Sequence, residues 1–554
     1  MRLPLSTLLL AALLASPVVP AVHAQEPPRL VVFISVDQFR SDYIDRYGDR
    51  WTGGLRRLVT EGARFVEAAY PYLNTVTCAG HATMSTGAFP ATHGMVLNAW
   101  WDREAGREQP CTLDPSTTAI GYTTPSGKAN GQSAALLRTH TFADELRGQA
   151  RRPPRIVSLS MKPRSAIMLA GRRGDAVVWF ESATGFTTST AYTPAPVPFV
   201  EAFVKAHPLD KEHGEVWTRL LPESEYLYED EGEGEKPSAG WTRSFPHPIT
   251  VKREDGKSVS LWSSTPWADA YLGRMARAAV DELKMGQTEG TDYLAISFSV
   301  LDSIGHAFGP RSHEVQDVLL RLDRTIGELL QHLDAKVGAD RYVVALTGDH
   351  GVAPLPEQAV ALGLDAGRVN LNDVAAKVEA LLTSRLGQGK YIARIAYTDL
   401  YFMPGVYDRL NAEPAVLREV LDAIREVPGI ARVLESAHLM DPAASDDPVV
   451  RAARLNYFPE RSGDLILVPK PYWLMSTSAT THGTFYGYDQ HVPVVLYGSG
   501  IKPGRYWQKA SPADIAPTLA ALCGITLART DGRVLAEALQ SGPPPAQSRR
   551  TATP

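Results

Sequence analysis

Five short, continuous apolar runs constrain this chain more than any other feature, because four of them stop at a residue able to do chemistry. Leu30 to Val36 runs into Asp37, Ile156 to Met161 into Lys162, and Leu294 to Leu301 into Asp302. Tyr342 to Thr347 is followed by Gly348-Asp349-His350, and Val492 to Tyr497 follows His491. Runs that are apolar throughout, instead of alternating, belong to strands buried on both faces, as in a parallel sheet covered by helices. The expected fold is α/β: a mostly parallel central sheet with helices on both faces and inserted cap segments. In such sheets ligands bind just beyond the carboxyl ends of the strands, where Asp37, Lys162, Asp302 and Asp349-His350 stand.

Helices should fall between the runs. Val315, Val318, Leu319, Leu322, Ile326, Leu329, Leu330 and Leu333 follow a 3.6-residue period, and Tyr271 to Lys284 reads similarly. Residues 25–540 are expected to form one catalytic domain, with insertions near 100–269 and 353–475. Within the first insertion only the strand before Lys162 is clearly part of the core. Residues 541–554 read as a disordered tail, and Glu229 to Lys236 as a solvated surface loop. Residues 1–24 read as a signal peptide, from Arg2, the apolar Leu8 to Ala15 and the small residues of Val22-His23-Ala24. That apolar run is too short to span a bilayer and no later one is long enough. No cysteine follows the cleavage point, so no membrane anchor is expected and the location should be periplasmic or secreted.

A net charge of −5 gives no reason to expect nucleic acid as a partner, so any phosphate affinity must come from a local site. Three cysteines exclude a cysteine-rich zinc module. After export Cys78 and Cys111 could pair and pin the loop following Thr77; two reduced buried thiols are an equal alternative. Cys523 reads as a small core residue.

The chemistry lies in six short stretches. Asp37 gains weight from its partners. Asp302 and His306 are spaced so that both side chains converge in one helical turn or tight loop. In Thr347-Gly348-Asp349-His350-Gly351 the glycines let two successive side chains meet one cluster. Either His482, beside Gly483, or His491, at a strand start, should complete it. Thr77 opens a small-residue helical pattern, where it could be an N-cap or a nucleophile held at an anion-binding helix end; His81 within that helix is expected to pack internally. Lys162 and Arg164 can reach the same phosphoryl oxygens. Three ligands per ion, drawn from these carboxylates and histidines, would build two zinc sites with a hydroxyl between them, an arrangement suited to phosphate esters.

Together these stretches resemble the alkaline phosphatase superfamily, specifically its monomeric, exported branch with a threonine nucleophile, over about Leu30 to Leu535. The resemblance implies two Zn2+ ions, one held by Asp37, Asp349 and His350 and the other by Asp302, His306 and His482. Thr77, itself a metal ligand, would be the nucleophile, and Asn98, Lys162 and Arg164 would bind the phosphoryl oxygens. It further implies a monomer that hydrolyses small-molecule phosphate monoesters through a phosphothreonine. Sulfatases of the superfamily need a Cys or Ser followed by x-Pro-x-Arg, which Cys78-Ala79-Gly80-His81-Ala82 lacks. Phosphodiesterases and nucleotide pyrophosphatases share the threonine and the two-zinc set but are less similar around Asn98, Lys162 and Arg164; that activity is the alternative. A phosphate-binding pseudoenzyme is the non-enzymatic one, though no ligand is missing.

Overall fold

The computed structural model describes residues 26–540 except 124–128, 183, 213–215, 239, 250–260 and 442–444. The expected signal peptide and tail lie outside these residues. The strands used below are β1 (Leu30–Val36), β2 (Ala63–Phe65), β3 (Leu113–Gly121), β4 (Asn130–Gln132), β5 (Ile156–Ser160), β6 (Ala176–Glu181), β7 (Gly185–Ser189), β8 (Asp292–Phe298) and β9 (Tyr342–Thr347). They continue with β10 (Ile392–Ala396), β11 (Asp399–Phe402), β12 (Ile430–Glu435), β13 (Leu465–Pro469), β14 (Val494–Gly498) and β15 (Gly504–Tyr506).

Eleven strands form one sheet in the order β15-β2-β14-β9-β1-β8-β5-β6-β7-β3-β4. The parallel reading holds for its centre, where β9, β1, β8, β5 and β6 run together. The flanking pairs are antiparallel except β2 with β15, and β14 is a correction: it runs against β9 although its sequence is a continuous apolar run. Periodicity reports burial on both faces, not direction. The insertion near 100–269 also gives more to the core than its composition indicates, since β3, β4, β6 and β7 all extend the main sheet.

Side chains of β1 alternate between two cores. Val32, Ile34 and Val36 pack against helices that include α3 (Pro266–Glu282) and α5 (His313–Lys336), while Val31 and Phe33 face Phe142, Leu146 and Leu519. All seven β1 residues are buried, and each large apolar side chain so buried contributes about 1.5–3 kcal/mol. Residues 369–475 carry a separate core and a four-stranded sheet, β10-β11-β13-β12. The loop 229–236 is not wholly solvated, because Glu235 is buried and lies near Glu314.

Register explains why the chemistry converges. Val36 pairs with Phe298, Ser35 with Thr347, and Ser297 with Ser160. The carboxyl ends of four adjacent parallel strands therefore finish level, and the residues that follow them share one edge.

Candidate active site

Asp37 follows β1 directly and is fully buried. The apolar run of β8 stops earlier than its sequence indicates. The chain turns at Ser299 into α4 (Val300–Phe308), with Asp302 in its first turn and His306 one turn later. Asp349 and His350 follow β9, and both are fully buried. Thr77 is the first residue of α1 (Thr77–Thr86); the N-cap is Val76, so the hydroxyl does not serve as a cap. Thr77 Oγ1 lies 3.4 Å from His350 Nε2.

Three histidines share one orientation. Nδ1 of His306 lies 2.9 Å from the Thr480 carbonyl, that of His482 2.8 Å from the Thr75 carbonyl, and that of His350 3.0 Å from the Gly351 carbonyl. A carbonyl only accepts, so each Nδ1 donates, and in the neutral ring each Nε2 then turns a bare lone pair inward. His306 Nε2 is 3.2 Å and His482 Nε2 3.7 Å from Asp302 Oδ1, and His350 Nε2 is 3.5 Å from Asp37 Oδ1. Asp37 Oδ1 is buried and accepts no hydrogen bond among the described residues. Lone pairs facing carboxylate oxygens repel unless a cation lies between them, and backbone-anchored histidines are the usual state of metal ligands. The residues fit a metal centre.

Among the described residues two groups of donors approach closely enough to hold an ion: Asp302, His306 and His482; and Asp37, Asp302 and His350. The first is the set expected from the resemblance. In the second Asp302 stands where Asp349 was expected. Asp349 is close by, with Oδ2 3.3 Å from His350 Nε2, but it also faces His81 Nδ1 at 3.3 Å and accepts from the Gln38 amide at 3.0 Å. His491 stays outside: its side chain is exposed and its backbone pairs with Ala69 and Ser41. His81 packs internally, between the Thr77 carbonyl and Ser297 Oγ.

Lys162 enters the cluster more deeply than a rim contact to phosphate would require. Its Nζ lies 2.6 Å from Asp37 Oδ2 and 2.5 Å from Asp302 Oδ2. Burial, with Asp302 and Asp349 nearby, pushes the Asp37 carboxyl well above the usual range. Burial pushes Asp302 the same way, but Lys162 and His306 outweigh it and hold that carboxyl well below. Burial, then His350 and His306, hold His482 neutral, the ligating form. Arg164 lies in the first turn of α2 (Pro163–Ala170); its Nε is buried without a hydrogen-bond partner among the described residues. Asn98 Oδ1 accepts from the Cys78 amide at 2.8 Å, which leaves its NH2 group to donate elsewhere. Cys78 and Cys111 form a disulfide, deciding the question left open above.

Sequence reasoning passed over Gln38, whose Nε2 donates to Asp302 Oδ1 at 2.8 Å. It holds a positive φ of 68°, which nothing in a glutamine signals. The neighbouring signal is Gly305, where a Cβ would stand 1.7 Å from Gln38 Oε1. Gly80 is required similarly, since a Cβ there would lie 2.2 Å from the Asp349 carbonyl.

The sequence pattern of the type I phosphodiesterase / nucleotide pyrophosphatase family matches residues 31–492. Alkaline phosphatase PafA of Elizabethkingia meningoseptica is 32% identical over 91% of this chain and 93% of its own. A protein of Myroides odoratus named calcium-transporting ATPase is 31% identical over 90% and 92%, and alkaline phosphatase PhoV of Synechococcus elongatus 30% over 90% of both. The crystal structure of PafA superposes with a TM-score of 0.86 at 31% identity, covering 93% of this chain and all of that one. A murine ectonucleotide pyrophosphatase/phosphodiesterase superposes at 0.54 with 13% identity, a likeness of fold alone. The chain belongs to the type I phosphodiesterase / nucleotide pyrophosphatase family of the alkaline phosphatase superfamily.

Proposed function

We propose that this protein is a zinc-dependent alkaline phosphatase that hydrolyses phosphate monoesters through a phosphothreonine at Thr77. The observation that carries the reading is the set of three inward-facing Nε2 atoms around buried carboxylates, with the Thr77 hydroxyl against it at a helix N-terminus. Relatives named alkaline phosphatase at about 30% identity across nearly the whole chain support it. Two zinc ions, one at Asp37, Asp349 and His350 and one at Asp302, His306 and His482, would supply positive charge to the attacking and leaving oxygens.

The chain's own groups account for the rest. Thr77 Oγ1 gives up its proton to water and attacks phosphorus as the bond to the ester's leaving oxygen breaks, and that oxygen departs with a proton from water. The N-terminus of α1 favours the anion there, while the Asn98 amide, Lys162 and Arg164 stabilise the non-bridging oxygens. Water then attacks the phosphothreonine, restoring the Thr77 hydroxyl and releasing inorganic phosphate. Three positively charged or donating side chains suit the dianionic end of a monoester. We assign export from residues 1–24, and a monomeric state and small soluble esters from the resemblance to exported alkaline phosphatases.

Phosphodiester hydrolysis is the second reading, favoured by the family pattern itself. A calcium pump would couple phosphoryl transfer to ion movement, and no helix of the described residues is long and apolar enough to cross a membrane. Turnover of p-nitrophenyl phosphate and bis-p-nitrophenyl phosphate by metal-defined protein tests the proposal. A monoester kcat/KM higher by orders of magnitude supports it; a diester preference replaces it with the second reading.

A further inference from the structure

Residues 369–475 pack around their own core, yet one turn of this segment reaches into the site. Tyr397 and Thr398 form the two-residue connection of the β10–β11 hairpin, in which Ala396 pairs with Asp399. Tyr397 has φ +57° while Thr398 has no positive φ. Hairpins with positive φ at the first central residue alone ordinarily place glycine there, and a bulky residue in that conformation is strained. Strain of this kind persists where the surroundings hold the residue for another purpose.

The surroundings show what the tyrosine touches. Its hydroxyl donates to the backbone carbonyl of His482. Its ring fills the space beside Gly483, where a Cβ would stand 2.6 Å from Cε1 and where φ is +107°. The same turn reaches the segment before the nucleophile. Thr398 Oγ1 lies 3.1 Å from Asn74 Oδ1 and 2.9 Å from Asp399 Oδ2. Asn74 leads into Thr75, whose carbonyl accepts from His482 Nδ1 and whose hydroxyl donates to the Thr484 carbonyl at 2.8 Å. Of the three inward-facing histidines, His482 alone comes from a loop that follows neither a central strand nor the helix after one, so its place depends on contacts of this type.

We infer that Tyr397 is a positioning residue for the metal centre, and that residues 369–475 hold His482 in place through it. The inference rests on the two-metal reading above. Contacts that orient a ligand typically set metal affinity by about 10- to 100-fold. The control is Tyr401, a fully buried tyrosine of β11 whose hydroxyl donates to the Arg461 carbonyl at 2.7 Å.

The experiment compares wild-type protein, Tyr397→Phe and Tyr401→Phe by zinc content, chelator competition and thermal unfolding. Each variant loses one tyrosine hydroxyl that donates to a backbone carbonyl, so similar losses of thermal stability are expected. Tyr397→Phe should bind one of its two zinc ions about 10- to 100-fold more weakly, and Tyr401→Phe should match the wild type. Equal zinc affinity for Tyr397→Phe and the wild type, or equal weakening in both variants, would overturn the inference and leave the two-metal reading standing. Wild-type protein that binds no zinc would overturn that reading, and the inference with it.

Discussion

The two halves of the site are built differently. Asp37, Asp349 and His350 follow adjacent parallel strands, are fully buried, and inherit their positions from the register of the sheet. Asp302 and His306 lie on a nine-residue helix, while His482 comes from a distant loop tied down by Thr75 and Tyr397. The His306 side chain is 31% exposed, whereas those of Asp37 and His350 are fully buried. One half is fixed by the strands; the other must be held by the segments around it. The second half should therefore be the more easily perturbed.

The largest expected effect falls on the group between the halves. Thr77→Ala should lower monoester turnover by at least about 10^4-fold, the scale for a lost nucleophile, while both metals stay bound. Acid quenching should trap phosphorylated protein from the wild type and none from the variant. Thr77→Ser, which keeps a hydroxyl, should retain part of the activity. Near-normal turnover by Thr77→Ala would remove the nucleophile from its place between the halves.

Removing a ligand separates the halves themselves. His482→Ala should carry about one zinc in place of two and lose nearly all turnover, whereas His491→Ala, an exposed residue, should keep both ions. Metal analysis of dialysed protein would contradict the assignment by giving the reverse.

The bridging cation is expected to matter less for metal content than for selectivity. Lys162 and Arg164 changed together to Ala should slow monoester hydrolysis far more than diester hydrolysis. Each charge-assisted contact contributes about 1.5–3 kcal/mol, or about 10- to 100-fold. Equal losses on both substrates would make the pair a structural counter-charge for Asp37 and Asp302.

The smallest effect concerns packing. Gly305→Ala forces Gln38 away from Asp302, at the cost of overpacking, about 1–3 kcal/mol. It should loosen the helix-held half, measured as a lower Tm and weaker zinc retention. An unchanged Tm would mean that Gln38 moves freely.

The strand-held half is also the half that could be read from sequence. Uninterrupted apolar runs locate buried strands, and a chemically able residue at the end of four of them marks the catalytic edge, so Asp37, Lys162 and Asp349-His350 stand out in the sequence. The helix-held half was legible only in pieces. The Asp302–His306 spacing suits one turn, but where the β8 run yields to a helix depends on tertiary contacts, and the sequence puts it three residues late. Strand direction was not legible either, since the antiparallel β14 is as apolar as the parallel strands at the centre of the sheet. Gln38 and Tyr397 were missed for one reason: both sit at positive φ, where residue type normally points to glycine. Their roles arise from a packed environment that no local pattern encodes.

The central claim is a two-metal phosphomonoesterase with one firmly held ion and one more labile. Stepwise chelation of the purified protein, with zinc content and p-nitrophenyl phosphate turnover recorded together, tests it most directly. The account predicts two zinc ions per chain leaving in two phases, with the first loss, from Asp302, His306 and His482, removing nearly all activity. A chain that binds no zinc, or one that keeps full turnover after its zinc is gone, would contradict it.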